Sequence, residues 1–393
     1  MKILYVAPFA TFEFSDRHGD TQVASIAGMR KVSLIAEALA QYGNQVVILS
    51  SVMLSNSKLA WRESFREQLN YGDKTVEVIY PSAFMQRPFG GLLNCLRTPW
   101  IIQRVLRDFV PEVAIIYNTY LFESLAAKEL VRRLKIPIVL EIEDFPLARR
   151  RGWSNIKPWL DQRNWDGMLN LSVGFTAVNG LILDQLPDNK PKYLLPGVID
   201  NRLETLSRKR VLPFNHSQRI VGYFGALAIE KGIQVLLDLV PRLPPEWRLV
   251  VSGTGPLSSE FESLGQLYPA QMTFLGRLNE MDLYKTMCQC DCTVIPLEQI
   301  VGHDTGVFPF KTFEFIFAGT HVIASRLSTL NDLDLSYVQR WDGENVGSLL
   351  EHLSNAETEF KQEQAIRERT ISAILDRYSM SGVKDIFAAL LSA

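Results

Sequence analysis

Glu314 occupies the setting that most needs a chemical explanation. It lies in FPFKTFEFIFAGTHVIAS, residues 308–325, where Pro309 suits a helix opening, Gly319 suits its end and HVIAS reads as the next strand. Phe313, Phe315, Ile316, Phe317 and Ala318 leave that short helix almost no solvent face, which predicts burial. A lone buried carboxylate is costly unless it is paired or hydrogen-bonded. Glu314 therefore either pairs with Lys311, one turn earlier, or receives the hydroxyls of a ligand. The preceding loop, VGHDTGVFP, carries Gly302 and Gly306 and runs into the helix amino terminus. Free amides and the positive dipole end favour a phosphate there, and Lys311 adds a full charge; the alternative is that the glycines only shape a turn.

A second anion-favouring position is predicted in IVGYFGALAIEKGIQVLLDLV, with Gly225 ending a strand and Lys231 starting a helix. Gly253 and Gly255, in VVSGTGP, end the following strand in a tight turn that admits a ligand or simply another stretch of backbone. Neither pair belongs to a GxGxxG after a strand, and no GxxxxGK[ST] loop exists. Both absences argue against a Rossmann dehydrogenase and a P-loop NTPase.

Further acids end the strand IVLEIEDF. Alternation sets Glu141 and Glu143 on one face and turns Asp144 toward the rim, where a carboxylate orients a sugar hydroxyl or acts as base; the alternative is a rim paired with Arg149, Arg150 and Arg151. His18, Asp16 and Asp20 lie on a long loop from Pro8 to Ala27 whose length suggests part of a site. Residues 83–108 carry Arg87, Arg97, Arg104, Arg107 and Trp100 against one acid, Asp108. That mixture suits an anionic membrane surface or a lipid-linked acceptor, or else a core helix with snorkelling arginines.

The elements that must position these residues repeat one grammar. KILYVAP, a helical MRKVSLIAEALAQYG, QVVILS, VEVIYP, EVAIIYN, a helical ESLAAKELVRRLK, IPIVLEIED and VGFTAVN fill the first half. RIVGYFG, a helical KGIQVLLDLVPRL, RLVVSGTGP, MTFLGR, a helical MDLYKTM, CTVIPLE and THVIAS fill the second. Continuous apolar strands alternating with amphipathic helices predict parallel sheets covered on both faces. A proline- and charge-rich stretch places the boundary near residue 200, in keeping with two or three domains for 393 residues. Open sheets of this kind bind ligands beyond their carboxyl ends.

Composition excludes other classes. Forty-one basic against 43 acidic residues give a net charge of −2, which does not suit bulk capture of nucleic acid. No apolar run is long enough to span a bilayer, and MKILYVAP reads as a buried strand rather than a leader. Four cysteines make no disulfide framework, so a reducing cytoplasm is expected, and CQCDC (Cys288, Cys290, Cys292) reads as buried small residues rather than a metal site.

Taken together, YFGALAIEKGIQVLLDL, LVVSGTGP, FLGRLNEMDLYKTMCQCDCTVIPLE and FPFKTFEFIFAGTHVIAS resemble the donor domain of a GT-B glycosyltransferase of the retaining group called family 4. KILYVAP, the helix after Gly28 and IPIVLEIED resemble the first domain more loosely, and ILDRYSMSGVKDIFAALL resembles the last helices, which cross back onto it. The resemblance implies an α/β GT-B fold of two doubly wound Rossmann-like domains facing across a cleft: residues 1–200 on the acceptor side, 201–378 for the nucleotide sugar, and 379–393 as the returning helix. By position, Gly225, Lys231 and the backbone from Gly306 through Phe310 to Lys311 would hold the diphosphate, Glu314 the ribose hydroxyls, and the turns at Gly253, Gly255 and Gly276 would flank the base. Glu143 and Asp144 would be the catalytic candidates, with His18 and Gly28 on the acceptor side. Three positions depart from the family pattern: Gly306 replaces a first motif glutamate, Ala226 an arginine before the lysine, and Glu143 a histidine.

The implied activity is transfer of a sugar from a UDP- or GDP-linked donor to a saccharide or lipid-linked acceptor, with retention, in surface polysaccharide or glycoconjugate synthesis. The expectation includes no metal, no further cofactor and no nucleic acid, with the protein in the cytoplasm and at the inner face of the membrane through residues 83–108. A nucleotide-sugar epimerase and a non-catalytic scaffold on the same fold stay open as alternatives.

Overall fold

The computed structural model describes residues 1–11, 13–14, 26–52, 61–85, 89–144, 156–209, 213–214, 218–297, 308–330, 333, 335, 337–342 and 345–392. Two compact units emerge: Met1–Val198 together with Tyr378–Ala393, and Ile199–Arg377.

In chain order the first unit contains β1 (Lys2–Ala7), α1 (Ile26–Gln41), β2 (Gln45–Ser50), β3 (Trp61–Arg62), β4 (Phe65–Tyr71), β5 (Lys74–Tyr80), β6 (Ala83–Phe84), α2 (Phe89–Leu96), α3 (Thr98–Asp108), β7 (Val113–Tyr117), α4 (Leu121–Leu134), β8 (Ile138–Ile142), α5 (Ile156–Leu171), β9 (Gly174–Ala177), α6 (Gly180–Leu183) and β10 (Lys192–Leu194). Its main sheet runs β10-β9-β8-β7-β1-β2-β5-β4. Every pairing is parallel except β4 with β5. β7 and β8 are buried along their whole length, as continuous apolar runs covered on both faces must be. β4, FREQLNY, lacks such a run and lies at the edge with every second residue turned to solvent. Strand order reverses about β1, where ligands of open α/β sheets bind at the carboxyl ends.

The second unit contains α7 (Asn201–Lys209), β11 (Arg219–Phe224), α8 (Gln234–Leu239), β12 (Trp247–Ser252), α9 (Ser258–Leu267), β13 (Met272–Phe274), α10 (Glu280–Met287), β14 (Cys292–Ile295), α11 (Lys311–Ala318), β15 (His321–Ser325), β16 (Gln339–Trp341) and α12 (Val346–Tyr378), whose last residue clusters with the first unit. The sheet is parallel throughout, in the order β13-β12-β11-β14-β15-β16, and reverses between β11 and β14. Its core gathers Trp247, Leu249, Val251, Phe261 and Trp341.

The sequence predicts one helix over KGIQVLLDLVPRL, but α8 holds only its centre. Gly232, at φ +67, sets off a 3-10 turn at Ile229–Lys231, and Pro241 falls in a second at Val240–Arg242. Lys231 therefore closes the first 3-10 turn instead of opening a helix. Likewise α11 begins at Lys311, two residues after Pro309, and ends as expected at Gly319, whose φ of +95 provides a left-handed cap.

The chain's last helix, α13 (Met380–Ser392), packs on α1 and β9 of the first unit. Val383, Phe387 and Leu390 are its fully buried anchors, and Leu390 lies over Gly174. Leu390→Ala is expected to cost about 2–5 kcal/mol of stability in chemical denaturation; a loss below about 1 kcal/mol would contradict this packing.

Candidate functional site

In the second unit, the carboxyl ends of β11, β12 and β13 interlock through their backbones. The Gly225 amide donates to the Ser252 carbonyl at 2.9 Å and the Leu227 amide to the Thr254 carbonyl at 3.0 Å, while Gly276 O accepts from the Gly253 amide and from Ser252 Oγ, both at 2.9 Å. A Cβ at Gly253, where φ is +154, would be driven into the Gly225 carbonyl oxygen, and one at Gly255 into that of Leu227. Backbone packing thus accounts for both glycines. Gly276, at φ +59, needs its glycine for conformation, since a side chain there would meet only open space.

Gly225 answers to a different need. A side chain at this position would collide with the Lys311 ammonium and come within 3.0 Å of Tyr223 Oη. Lys311 Nζ donates to the Phe224 carbonyl oxygen at the end of β11 and sits 6.0 Å from the Tyr223 ring centre. Burial pushes its pKa down to about 8, opposed by the Glu314 carboxylate and reinforced by the Lys231 ammonium. Lys311 thus feels both Glu314, one turn on along the same helix, and Lys231, distant in sequence. Glu314 is buried within α11 and has polar company there.

The amino terminus of α11 is less open than the sequence implies. Phe310 is its N-cap, with no side-chain cap, and packs edge-on against Phe313. The Thr312 and Phe313 amides already donate to the Pro309 and Phe310 carbonyls at 2.8 and 2.9 Å. An anion there would meet the dipole and two lysines in preference to these amides. At its other end, α11 is held by the Gly319 cap and by buried Arg367 of α12, which donates to the Ile316 carbonyl at 3.0 Å.

The carboxyl edge of the first sheet carries the other cluster. Glu141 and Glu143 do share a face, and both meet Lys31 of α1: its Nζ bonds Glu143, lies 3.5 Å from Glu141 Oε1 and donates to the Leu195 carbonyl at 2.5 Å. Tyr5 of β1 donates its hydroxyl to Glu141. Burial pushes the Glu143 pKa up to about 8; Lys31 opposes this, and the carboxylates of Glu141 and Asp144 add to it. Asn118, at a left-handed φ of +56, accepts through Oδ1 from the Glu143 and Asp144 amides at 2.7 and 3.2 Å. Tyr120 donates its hydroxyl to Asp144 at 3.0 Å. Gly28 lies one turn ahead of Lys31, half-buried on α1.

Sequence reasoning missed Lys31, Asn118, Tyr5 and Tyr120. A lysine amid the apolar positions of α1 and an asparagine closing EVAIIYN were visible signals, but nothing local tied either to Glu143. His18, Asp16, Asp20, Gly302, Gly306, Arg87 and Arg149 to Arg151 lie outside the described residues. Cys290 and Cys292 are buried and Cys288 partly so; among the described residues no cluster is placed to hold a metal ion.

The segment over residues 83–108 forms β6, α2 and α3, beside β3. Arg97 lies against Trp61 at 4.7 Å, Phe84 at 5.5 Å and Trp100 at 5.6 Å, and donates to the Ser82 carbonyl and hydroxyl. A surface hollow of about 560 Å³ opens between Trp61, Trp100, Arg97 and Arg104. Leu92, Leu93 and Leu96 of the uncharged helix α2 are exposed, as is Trp100.

One expected outcome tests the interlocked strand ends. Gly253→Ala should destabilise the second unit by roughly 1–3 kcal/mol or more, read in denaturant melts, because neither backbone can move freely. An unaffected melt would mean that this contact does not hold.

The sequence profile of the glycosyl transferases group 1 family matches residues 218–342. No curated protein matches the sequence. Among solved structures, sucrose-phosphate synthase from Thermosynechococcus elongatus is similar over 99% of this chain and 100% of its own, with a TM-score of 0.67 at 13% identity. The UDP-forming alpha,alpha-trehalose-phosphate synthase from Burkholderia xenovorans, solved with glucose-6-phosphate, is similar over 100% of both chains, with a TM-score of 0.67 at 12% identity. Anabaena HepE in complex with UDP is likewise similar over 100% of both, with a TM-score of 0.62 at 15% identity. The fold is that of the GT-B glycosyltransferases, and with its group 1 domain at residues 218–342 the chain is a glycosyltransferase.

Proposed function

We propose that this protein transfers a sugar, with retention, from a UDP- or GDP-linked donor to a saccharide or lipid-linked acceptor in surface polysaccharide or glycoconjugate synthesis. The observation that carries the donor half is the grouping of Lys231, Lys311 and Glu314 beside the side-chain-free Gly225 turn. Two ammonium groups and a helix amino terminus stabilise the charge that develops on a departing diphosphate. Preorganised donors of this kind are each worth about 10²- to 10³-fold in rate. Glu314 accepts the ribose hydroxyls. Chemistry on the front face of the sugar leaves the diphosphate oxygen to assist the acceptor hydroxyl, so no protein nucleophile is assigned. Phe310, with the backbone through Lys311, borders the diphosphate; Gly253, Gly255 and Gly276 shape the turns beside the base. Glu143 and Asp144 orient the acceptor, with Gly28 near them on the chain's first helix. The reaction in this reading uses no metal.

The likeness of the fold to a UDP complex and to a UDP-forming synthase supports a nucleotide-sugar donor. Calorimetry with UDP, GDP and ADP tests it. One nucleotide should bind, and Glu314→Ala and Lys231→Ala should each weaken it at least tenfold; three nucleotides binding equally poorly would sink the donor site. A pH signature accompanies this. An anion beside Lys311 raises an amine pKa that burial holds near 8, so binding should take up a proton at and above about pH 8, and affinity should fall as pH rises through that value. Titrations in buffers of differing ionisation enthalpy measure the uptake; zero uptake at pH 8 would separate Lys311 from the phosphates.

The acceptor side is read as working at the inner face of a membrane. No helix among the described residues is long and apolar enough to cross one. Exposed Leu92, Leu93 and Leu96 lie beside a stripe of α3 in which Arg97, Trp100, Arg104 and Arg107 recur at helical spacing. Apolar and aromatic groups next to arginines suit an anionic bilayer surface. The protein should co-sediment with phosphatidylglycerol vesicles at low salt but not with phosphatidylcholine vesicles, and Leu96→Glu with Trp100→Ala should abolish this. Equal behaviour with both vesicles would refute surface docking.

A further inference from the structure

The carboxyl edge of the first sheet buries two acids against a single cation. Glu141 is fully buried, and Glu143 keeps only 14% of its surface exposed. Lys31 bonds Glu143, approaches Glu141 Oε1 to 3.5 Å and gives another hydrogen bond to the neutral Leu195 carbonyl. Glu141 Oε1 is buried without a hydrogen-bond partner, while its other oxygen accepts from Tyr5. Among the described residues, the other ionisable groups that face the cluster are Tyr5 from β1, Tyr117 from β7, Tyr120 ahead of α4, and Asp144, none of them a cation. With both glutamates ionised, the triad would carry a net negative charge where water is largely excluded. An uncompensated buried charge costs more than holding one proton on an acid near neutral pH.

We propose that Glu141 and Glu143 hold one proton between them on the Lys31 ammonium, a neutral triad in which Glu143, the member that solvent reaches, presents an O–H to an oxygen of the incoming acceptor. Lys31 is the positioning residue. Asn118 fixes the aim by accepting the Glu143 amide. Both carboxyls are shifted upward by burial, Glu143 to about 8, with Lys31 opposing. The pair titrates as a unit, so its proton belongs to neither residue alone. Below about pH 8 the pair therefore keeps one shared proton, which reaches an acceptor through the partly exposed Glu143, so the triad offers a hydrogen-bond donor instead of the general base that a carboxylate at this place suggests. Its partner, a sugar oxygen, rests on the glycosyltransferase reading; the proton does not.

The test uses the full chain without substrate, so its failure and a failure to bind nucleotide are separate results. An acid whose pKa is raised in the folded state keeps its full contribution below the unfolded value, here 4.5, and loses it as pH rises toward 8. Wild-type stability, compared with that of Glu143→Gln, should fall by about tenfold in folding equilibrium constant per pH unit across this window and level off above it. Glutamine keeps the shape and the neutral donor, so the variant should lack this component, and Glu141→Gln should lack it too. Lys31→Met removes the cation and should add a second proton, steepening the fall; if it does not fold, the two glutamine variants decide. Parallel pH profiles for wild type and Glu143→Gln would overturn the proposal.

Discussion

Parallel strands covered on both faces can carry charge only where they end, because along their length no water or counter-ion reaches them. That constraint organises both units. β8 is buried throughout, and its acids, Glu141 and Glu143, fall at its carboxyl end and just beyond. β11 is followed at once by Gly225, and the first charge near it is the Lys311 ammonium, brought from α11 onto the last carbonyl of the strand. The reversals of strand order about β1 and between β11 and β14 leave these edges as the places where a polar ligand can approach. The chemistry is confined to the strand ends because the cores tolerate it nowhere else.

The two edges solve the same electrostatic problem in opposite senses. In the second unit positive charge is in excess: Lys311 and Lys231 repel each other, and burial lowers the Lys311 pKa, with Glu314 only partly compensating. Such a site gains by receiving an anion, which restores the charge on Lys311. In the first unit, among the described residues, two acids share one lysine, and the proposed proton is what balances them. In the proposed reaction, one edge would take the diphosphate and the other neutral, oxygen-rich matter.

Much of this was legible in the sequence because it is local. The strands KILYVA, VAIIY, IVLEI and CTVI follow from uninterrupted apolar runs, and the α11 stop from Gly319. β4 and the broken ends of α8 were less legible. β4 alternates as an edge does, and α8 yields to Gly232 and Pro241 against a helical pattern that runs straight through them. For the site, residue types were readable and partnerships were not. Glu314 stood out by its burial, yet Gly253 and Gly255, read as ligand turns, are glycines because another strand's carbonyls occupy the space a Cβ would need. Lys31 could not be matched to Glu143 over a separation of 112 residues without the fold that brings α1 over β8.

The substitution of Glu143 for the histidine of the resembled family then has a physical consequence. A histidine donates or accepts near neutral pH with little help, since its ordinary pKa lies there. A glutamate does not: on its own it is ionised and can only accept. To retain a donor at this position the chain needs surroundings that lift a carboxyl by several units, and it has three of them in burial, the like charge of Glu141 and that of Asp144. Lys31 limits that lift by opposing it, and in doing so makes burial of two acids tolerable. In the proposed triad, the lysine and the second glutamate are what would allow an acid to stand in for an imidazole.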